Sequence, residues 1–177
     1  MAFLRAINVG GHVVKMARLR ELFGALGFLE VATVIASGNV LFSARSADRA
    51  SLERKIERQL QGALGYEVAT FLRAPEELAD VAAYEPFPGQ APAPGVQALS
   101  VMFLKAPLAA SARNALLALQ TSTDEFHVHR REAYWLCQGR ISDSKVTGAR
   151  LERALGGPTT IRNVTTVRKL AAATAAP

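Results

Sequence analysis

The sequence predicts an α+β protein made of two tandem ferredoxin-like plaits with antiparallel sheets, plus a C-terminal helix. The order strand, helix, strand, strand, helix, strand occurs twice along the 177 residues, and this βαββαβ order is typical of the plait. A proline-rich stretch separates the two copies. Half of the residues are apolar, so the chain can bury one large core or two small ones.

The first copy occupies residues 1–73. Its predicted strands are 2–9, 31–35, 40–44 and 66–72, and its predicted helices are Lys15–Leu26 and Asp48–Leu64. Apolar residues recur on one face of each helix, as at Ile56, Leu60 and Leu64. A glycine, Gly27 or Gly65, ends each helix.

The second copy occupies residues 96–177. Its predicted strands are 96–104, 126–130, 133–137 and 159–162, and its predicted helices are Pro107–Leu119, Ser144–Leu155 and a final one over 165–175. Ser142, Asp143 and Ser144 are candidate caps for the second of these helices, and Asn163 for the last. The two copies share a pattern of elements without residue-level identity.

Residues 74–95 read as a connector. A short helix begins at Pro75, and four prolines follow at positions 86, 88, 92 and 94. Proline removes backbone donors and favours extended chain, so this stretch is a linker or an ordered surface loop. The predicted domains are therefore 1–73, the connector 74–95, and 96–177.

The net charge of +6 is unevenly distributed. Residues 1–73 carry ten Lys/Arg against six Asp/Glu, residues 74–94 none against four, and residues 95–177 eleven against five. Both flanks are thus basic, which favours an anionic small molecule or nucleic acid as partner.

We expect a cytoplasmic protein without a membrane span, a cofactor or a metal. The N-terminus lacks a charged leader followed by an apolar run, and no stretch of about 18 apolar residues occurs. The single cysteine, Cys137, excludes an internal disulfide and lies in a predicted strand, where a buried and inert thiol is expected.

Several long motifs together resemble the bacterial domain-of-unknown-function family 1697. They are FLRAINVGG, LRELFGALGF, ASGNVLF and SKVTGARLERALGGPTTIRNVTTVRKL, in that order. The resemblance implies two ferredoxin-like plaits and no established activity. The retained motif residues are Asn8, Gly10, Gly11, Met16, Ser37, Gly38, Asn39, Ser144, Lys145, Thr160, Arg162, Asn163 and Lys169. Ala6 and Val164 depart from the pattern, where glycine and tryptophan are common, and the missing tryptophan argues against an aromatic platform there.

The turn after the first strand is one candidate for ligand binding. It contains Asn8, Gly10 and Gly11, with Arg5 before it and Lys15 after it. Backbone N–H groups at such a turn, beside a helix start, can bind an anion. In the alternative interpretation the glycines only let the strand cross over to the helix, and Asn8 bonds its own loop.

The second turn, ASGN, contains Ser37, Gly38 and Asn39. A tight hairpin explains these residue types without a ligand. In a βαββαβ plait, however, the start of the third strand lies beside the end of the first. We therefore predict a composite site in which Asn8, Ser37 and Asn39 supply hydrogen bonds.

Ser144, Lys145, Arg162 and Asn163 form a second candidate group near two helix starts. Capping explains Ser144 and Asn163. Lys145 and Arg162 would oppose the helix dipole, and an anion bound between them would remove that conflict. Solvated surface charge is the alternative interpretation.

The histidines give only a weak metal hypothesis. His127 and His129 alternate on a predicted strand and face one side, with His12 as a remote third ligand. No acidic or thiolate partner accompanies them, so no metal site is predicted. Nothing favours a Ser-His-Asp triad over other arrangements.

The favoured function is non-enzymatic binding of a phosphorylated or other anionic ligand, or of nucleic acid by electrostatics. Aromatic residues are only 7% of the chain and the RNA-recognition string is missing, so sequence-specific RNA reading is not expected. One alternative is a small-molecule enzyme using the cleft between the plaits, with Arg5, Lys145 and Arg162 as anion anchors, although no general base accompanies them. The other is a protein-interaction module.

Overall fold

The chain is a mixed α+β protein with two four-stranded antiparallel sheets. The computed structural model describes residues 1–8, 11, 13–34, 38–89 and 97–175. The chain divides into two units, Met1–Glu77 together with the last residues from Thr174, and Leu78–Ala173. The domain boundaries predicted above remain a prediction about independently folding domains.

The first unit contains one sheet and two helices that pack on it. Its elements are Ala2–Leu4 (β1), Met16–Gly24 (α1), Leu29–Thr33 (β2), Asn39–Ser43 (β3), Arg49–Leu64 (α2) and Thr70–Leu72 (β4). The strands lie in the order β2-β3-β1-β4. Because Phe3 pairs with Asn39, the start of β3 lies beside the end of β1, as predicted.

Local signals account for α2, the longest helix of this unit. Asp48 accepts a hydrogen bond from the Ser51 amide at 3.1 Å and so caps the first turn. Gly65 ends the helix with a φ of 81°, a left-handed conformation that glycine adopts without strain. Ile56 and Leu60, one turn apart, are fully buried against the sheet.

The second unit repeats the arrangement. After Pro75–Ala83 (α3), its elements are Gln97–Phe103 (β5), Ala110–Leu117 (α4), Asp124–His129 (β6), Glu132–Gln138 (β7), Gly148–Leu155 (α5), Thr160–Asn163 (β8) and Val164–Ala175 (α6). Its strands lie in the order β6-β7-β5-β8. Phe126 and Trp135 face the core formed with α4 and α5, whereas His127 and Tyr134 face the opposite side of the sheet.

Several predicted boundaries were wrong, including the start of the fourth strand, which is Thr70 and not Tyr66. The first strand ends at Leu4 instead of continuing to residue 9, because Ala6 adopts a φ of 54° and the chain turns there. The second strand begins earlier, at Leu29. Helix α5 begins at Gly148 and not at Ser144, because Thr147 is its cap, while Ile141–Asp143 form a short 3-10 helix. The proline-rich residues 90–96 lie outside the described part.

Carboxylates of α2 cover the edge strand β4. Glu53 accepts a hydrogen bond from the Leu72 amide at 2.9 Å, and Glu57 accepts one from the Thr70 amide at 2.8 Å. Both amides belong to the outermost strand of the sheet. Unpaired amides at a sheet edge can recruit another chain, so these two side chains close the edge.

Replacing Glu53 with alanine is expected to lower the free energy of unfolding by about 1–3 kcal/mol. Glu53 is only 5% exposed, so its loss leaves the Leu72 amide without that acceptor in a buried place. Glu53→Gln keeps an acceptor and should lose less. Urea denaturation measures both, with Glu67→Ala as the exposed control. A loss no larger than that of the control would contradict the edge role.

Candidate functional site

Two hydrogen bonds, one to Ala69 and one within the loop, hold the loop between β1 and α1 in place. The Arg5 amide donates to the Ala69 carbonyl at 2.9 Å, which fixes the chain where β1 ends. The Asn8 side chain accepts a hydrogen bond from the Val14 amide at 2.7 Å and so closes the loop. Asn8 therefore bonds its own loop, which is the structural role considered for it.

The start of α1 has no side-chain cap. Lys15 occupies the N-cap position, makes no capping hydrogen bond, and is exposed. The first turn contains no acidic residue. Gly11, four residues before Lys15, is exposed and has a φ of 87°. The helix thus presents its positive end beside a lysine. Gly10, also predicted for this site, lies outside the described residues.

The turn before β3 meets the end of β1, but Asn39 is not exposed there. The Gly38 carbonyl accepts a hydrogen bond from the Leu4 amide at 2.8 Å. Asn39 is fully buried and donates from Nδ2 to the Val34 carbonyl at 3.1 Å. Its amide therefore closes the hairpin, which favours the turn role over contact with a ligand. Ser37 lies outside the described residues.

In the second unit, Ser144 and Lys145 lie on the loop before α5. The Ser144 hydroxyl donates to Asp124 at 2.8 Å and accepts from the Val146 amide at 3.0 Å. Lys145 is exposed, and its carbonyl accepts from Arg150 Nη1 at 3.3 Å. Ser144 therefore binds within the protein and is half-buried, whereas the lysine side chain is exposed.

Arg162 and Asn163 are also bonded locally. Arg162 Nη1 donates to the Thr160 hydroxyl and to the Ile161 carbonyl, both at 2.8 Å. Burial lowers the pKa of this guanidinium to about 10. Asn163 accepts from the Thr165 amide at 2.9 Å and caps α6, as predicted. These bonds favour structural roles for both residues.

Sequence reasoning missed a buried carboxylate in this unit. Asp124, only 1% exposed, accepts hydrogen bonds from Trp135 Nε1 and Ser144 at 2.8 Å and from Thr121 and Thr123 at 2.9 and 3.1 Å. Burial alone would raise the pKa of Asp124, but these donors together lower it below its ordinary 3.8. The donors come from β7 and from loops on both sides, so no local motif marks the site.

Cys137 is a buried free thiol close to this carboxylate. Burial, reinforced by the negative charge of Asp124, raises the pKa of the thiol to about 11. A thiol in this state contains almost no thiolate at neutral pH and is a poor nucleophile. The burial predicted for Cys137 is confirmed.

The described part of the chain holds no group of three or more His, Cys, Asp or Glu residues placed to bind a metal. His127 and His129 do share a face of β6, but both contact Tyr84. His12 lies outside the described residues. Among the described helices, none has the length and hydropathy required to span a membrane.

Comparison with known proteins gives a family and a fold. The sequence model of a family described as "Protein of unknown function (DUF1697)" matches residues 1–134. The match stops short of the motifs at residues 144–170, so their resemblance to the family stays a prediction. The structure is similar to that of the conserved bacterial protein SP0830 from Streptococcus pneumoniae, with a TM-score of 0.73 and 24% identity over 98% of this chain and 96% of that one. A search of curated proteins found no match.

Proposed function

The chain belongs to the DUF1697 family of proteins of unknown function, and from its geometry we propose that it binds a phosphate-bearing anion at the loop between β1 and α1. The uncapped start of α1 is the observation that carries this proposal. First-turn amides of a helix have no partner inside the helix, and a phosphate oxygen is a suitable acceptor for them.

The charges around this helix start support an anion. Lys15 lies at the N-cap, where its positive charge is repelled by the positive end of the helix dipole, at a cost of about 0.3–1 kcal/mol. A bound phosphate would attract both the lysine and the helix end and so offset this repulsion. Arg5 precedes the same loop and is half-buried, so its orientation is restricted. The Asn8 hydrogen bond keeps the loop closed in the absence of a ligand. Such preorganisation lowers the entropic cost of binding.

Other helix starts support this choice by contrast. Asp48 caps α2 and Thr147 caps α5, so a ligand there would have to replace an existing acceptor. The start of α4 is uncapped as well, but its N-cap residue is Ala109, so it lacks the cation that Lys15 provides at α1. Ser144, Arg162 and Asn163 have local hydrogen-bond partners. The second candidate group, which is Ser144, Lys145, Arg162 and Asn163, therefore has an exposed lysine but no uncapped helix start beside it.

We also infer that each half is a ferredoxin-like plait. The support is the βαββαβ order in both halves and the matching strand orders β2-β3-β1-β4 and β6-β7-β5-β8. RNA-recognition motifs of this class stack bases on exposed sheet aromatics. Here Phe3 and Phe71, on the sheet face opposite the helices, are fully buried. This burial favours an anion at the loop over bases on the sheet.

Replacing Lys15 or Arg5 with glutamine is expected to weaken phosphate binding about tenfold, because each change removes a charge-assisted contact. The probes are inorganic phosphate, pyrophosphate, a nucleoside triphosphate and a mixed-sequence single-stranded oligonucleotide, measured by thermal shift and calorimetry. Lys145→Gln is the matched control, since it removes one exposed lysine from the other unit. It should leave the affinity unchanged.

The possible outcomes distinguish an error in the proposed ligand from an error in the proposed site. If no probe stabilises the protein at up to about 10 mM, phosphate binding itself is wrong. If stabilisation survives both Lys15→Gln and Arg5→Gln, the site is wrong. If the ligand is a single-stranded nucleic acid, its affinity should fall steeply as the salt concentration rises. The logarithm of the binding constant should change with the logarithm of the salt concentration with a slope of about −0.7 for each phosphate neutralised. A small phosphorylated ligand would show a much weaker dependence.

A further inference from the structure

The exposed face of α2 carries a row of cations that the proposed phosphate site does not use. Arg54, Lys55 and Arg58 are exposed, and the two arginines lie one turn apart on the same side of the helix. The carboxylates of this helix, Glu53 and Glu57, face the sheet edge, where they accept hydrogen bonds from amides of β4. The positive and negative charges of α2 are therefore separated onto different faces.

The three cations of this face differ in their contacts. Lys55 Nζ donates to the Leu26 carbonyl at 2.8 Å and lies 5.4 Å from the centre of the Phe28 ring, so this charge has a fixed position. Within the described part of the chain, the side chains of Arg54 and Arg58 form no hydrogen bond or ion pair. Like charges one turn apart repel each other, and an anion between them offsets that repulsion. Both arginines can therefore turn toward a ligand.

Gly62 continues the row. It follows Arg58 by four residues, lies inside the helix and is exposed. Glycine inside a helix is less favourable than alanine, and here no atom beyond the helix backbone lies within 4 Å of an added Cβ, so packing does not require it. Glycine also lets a ligand approach the backbone closely. Its position favours a ligand that lies along the helix.

We propose that this face of α2 binds the phosphate backbone of double-stranded nucleic acid, with Arg54 and Arg58 as the phosphate contacts. The row from Arg54 to Gly62 is about 12 Å long, because an α-helix rises by about 1.5 Å per residue. One strand of a duplex presents a phosphate about every 3.4 Å along its axis, so several phosphates face the row. The planar guanidinium of arginine donates two parallel hydrogen bonds to a phosphate.

The composition of α2 favours a duplex over a single strand. Proteins that bind single strands stack the unpaired bases on aromatic side chains, and α2 contains no aromatic residue. A duplex is bound through its phosphates without contact to its bases. Lys55 contacts the end of α1, whereas the proposed phosphate loop precedes the start of α1. The surface on α2 is thus a second site, which goes beyond the proposed function.

Arg54→Gln and Arg58→Gln test this surface in the 177-residue chain. The probe is a mixed-sequence DNA duplex of about 20 base pairs, titrated by fluorescence anisotropy at about 50–300 mM salt. At about 50 mM salt, each variant should bind about tenfold more weakly, because it loses one phosphate contact. The logarithm of the binding constant, plotted against the logarithm of the salt concentration, should have a slope less steep by about 0.9 for each variant.

Two arginines of the second unit provide matched controls. Arg113 on α4 and Arg153 on α5 are exposed, so Arg113→Gln and Arg153→Gln remove the same charge from helices elsewhere. Each should change the duplex affinity by less than about twofold, since salt screens charges that do not contact the ligand.

Gly62→Gln tests the close approach of the strand. Glutamine favours a helix more than glycine does, so the thermal midpoint should rise. The new side chain should nevertheless weaken duplex binding by up to about tenfold, because it keeps the strand away from Arg58. Gly24→Gln, at the exposed end of α1 with equally open space, is the control and should leave the affinity unchanged. Weaker binding by a more stable protein cannot result from partial unfolding.

Three results would overturn this proposal. The first is an absence of duplex binding at about 50 mM salt with protein at up to about 100 μM. The second is an equal loss in the α2 variants and in the controls, which would assign binding to the net charge of the protein. The third is tighter binding of a single strand or of polyglutamate, which would identify a different partner. Binding of inorganic phosphate should be unchanged in the α2 variants, so this proposal and the phosphate loop can fail independently.

Discussion

Replacing Asp124 with alanine is expected to lower the free energy of unfolding by about 3–5 kcal/mol, the largest loss that we predict, because it removes the charged acceptor of four hydrogen bonds. Asp124 is 1% exposed, and its carboxylate accepts hydrogen bonds from Trp135, Ser144, Thr121 and Thr123. Hydroxyl groups can turn to other acceptors. The Trp135 Nε1–H cannot turn, so it stays buried without its acceptor.

Asp124→Asn removes the charge of the side chain but keeps its shape. The amide has nearly the same volume, but its NH₂ group faces donors where the carboxylate accepted hydrogen bonds. We expect a loss of about 2–3 kcal/mol, measured by urea denaturation at neutral pH. Asp143→Asn is the matched control, because Asp143 is exposed and, among the described hydrogen bonds, its side chain accepts only from the neighbouring Ser142. Equal losses for Asp124→Asn and Asp143→Asn would contradict the role of the buried carboxylate.

The Asp124 contribution should depend on pH in a defined direction. The pKa of Asp124 is lower in the folded state than its ordinary 3.8, so the unfolded chain takes up this proton first as the pH falls. The stabilisation is complete above 3.8 and is lost as the pH falls through the folded pKa. The difference in the free energy of unfolding between the wild-type protein and Asp124→Asn should therefore become smaller at about pH 3. A difference that grew in acid would contradict the assignment.

Local signals were enough to predict most elements of the fold. The second helix of the first unit follows from Asp48 at its start, Gly65 at its end and apolar residues one turn apart, and the structure has this helix with those caps. The end of β1 was not predictable in this way. Ala6 adopts a left-handed φ that alanine rarely takes, and long-range bonds such as that of the Arg5 amide to Ala69 fix the chain beside it.

The roles of the polar residues in the candidate site could not be predicted from the sequence, because each of these residues has several possible partners. An asparagine near a glycine turn fits both a loop and a ligand site, and the difference depends on burial. Asn39 is fully buried, whereas Asn8 is exposed but already bonded to Val14. The Asp124 network joins residues up to twenty positions apart, and only tertiary packing brings them together. Neither burial nor tertiary packing can be predicted from composition and residue spacing.

Gly38→Ala is the second substitution with a large expected effect, a loss of about 2–4 kcal/mol in the free energy of unfolding. Gly38 has a φ of 73°, which costs a residue with a Cβ about 1 kcal/mol. The added Cβ would also lie 2.6 Å from Cγ2 of Ile7 and 3.2 Å from Cβ of Leu4. Ile7 and Leu4 are buried, so moving them apart adds about 1–3 kcal/mol.

Two further variants, Gly65→Ala and Ile7→Ala, distinguish the backbone cost of Gly38→Ala from the cost of its side-chain clash. Gly65 has a φ of 81° but no atom within 4 Å of an added Cβ, so Gly65→Ala should show the backbone cost alone, about 1 kcal/mol. In an Ile7→Ala background the nearer of the two clash partners is gone, so Gly38→Ala should cost less than in the wild-type protein and approach the cost of Gly65→Ala. Ile7 also lies in the loop that carries the proposed phosphate site, so Gly38→Ala should weaken phosphate binding while Gly65→Ala leaves it unchanged. Equal stability losses in the two glycine variants would mean that the end of β1 yields easily, and the close approach of the two turns would then not fix the loop.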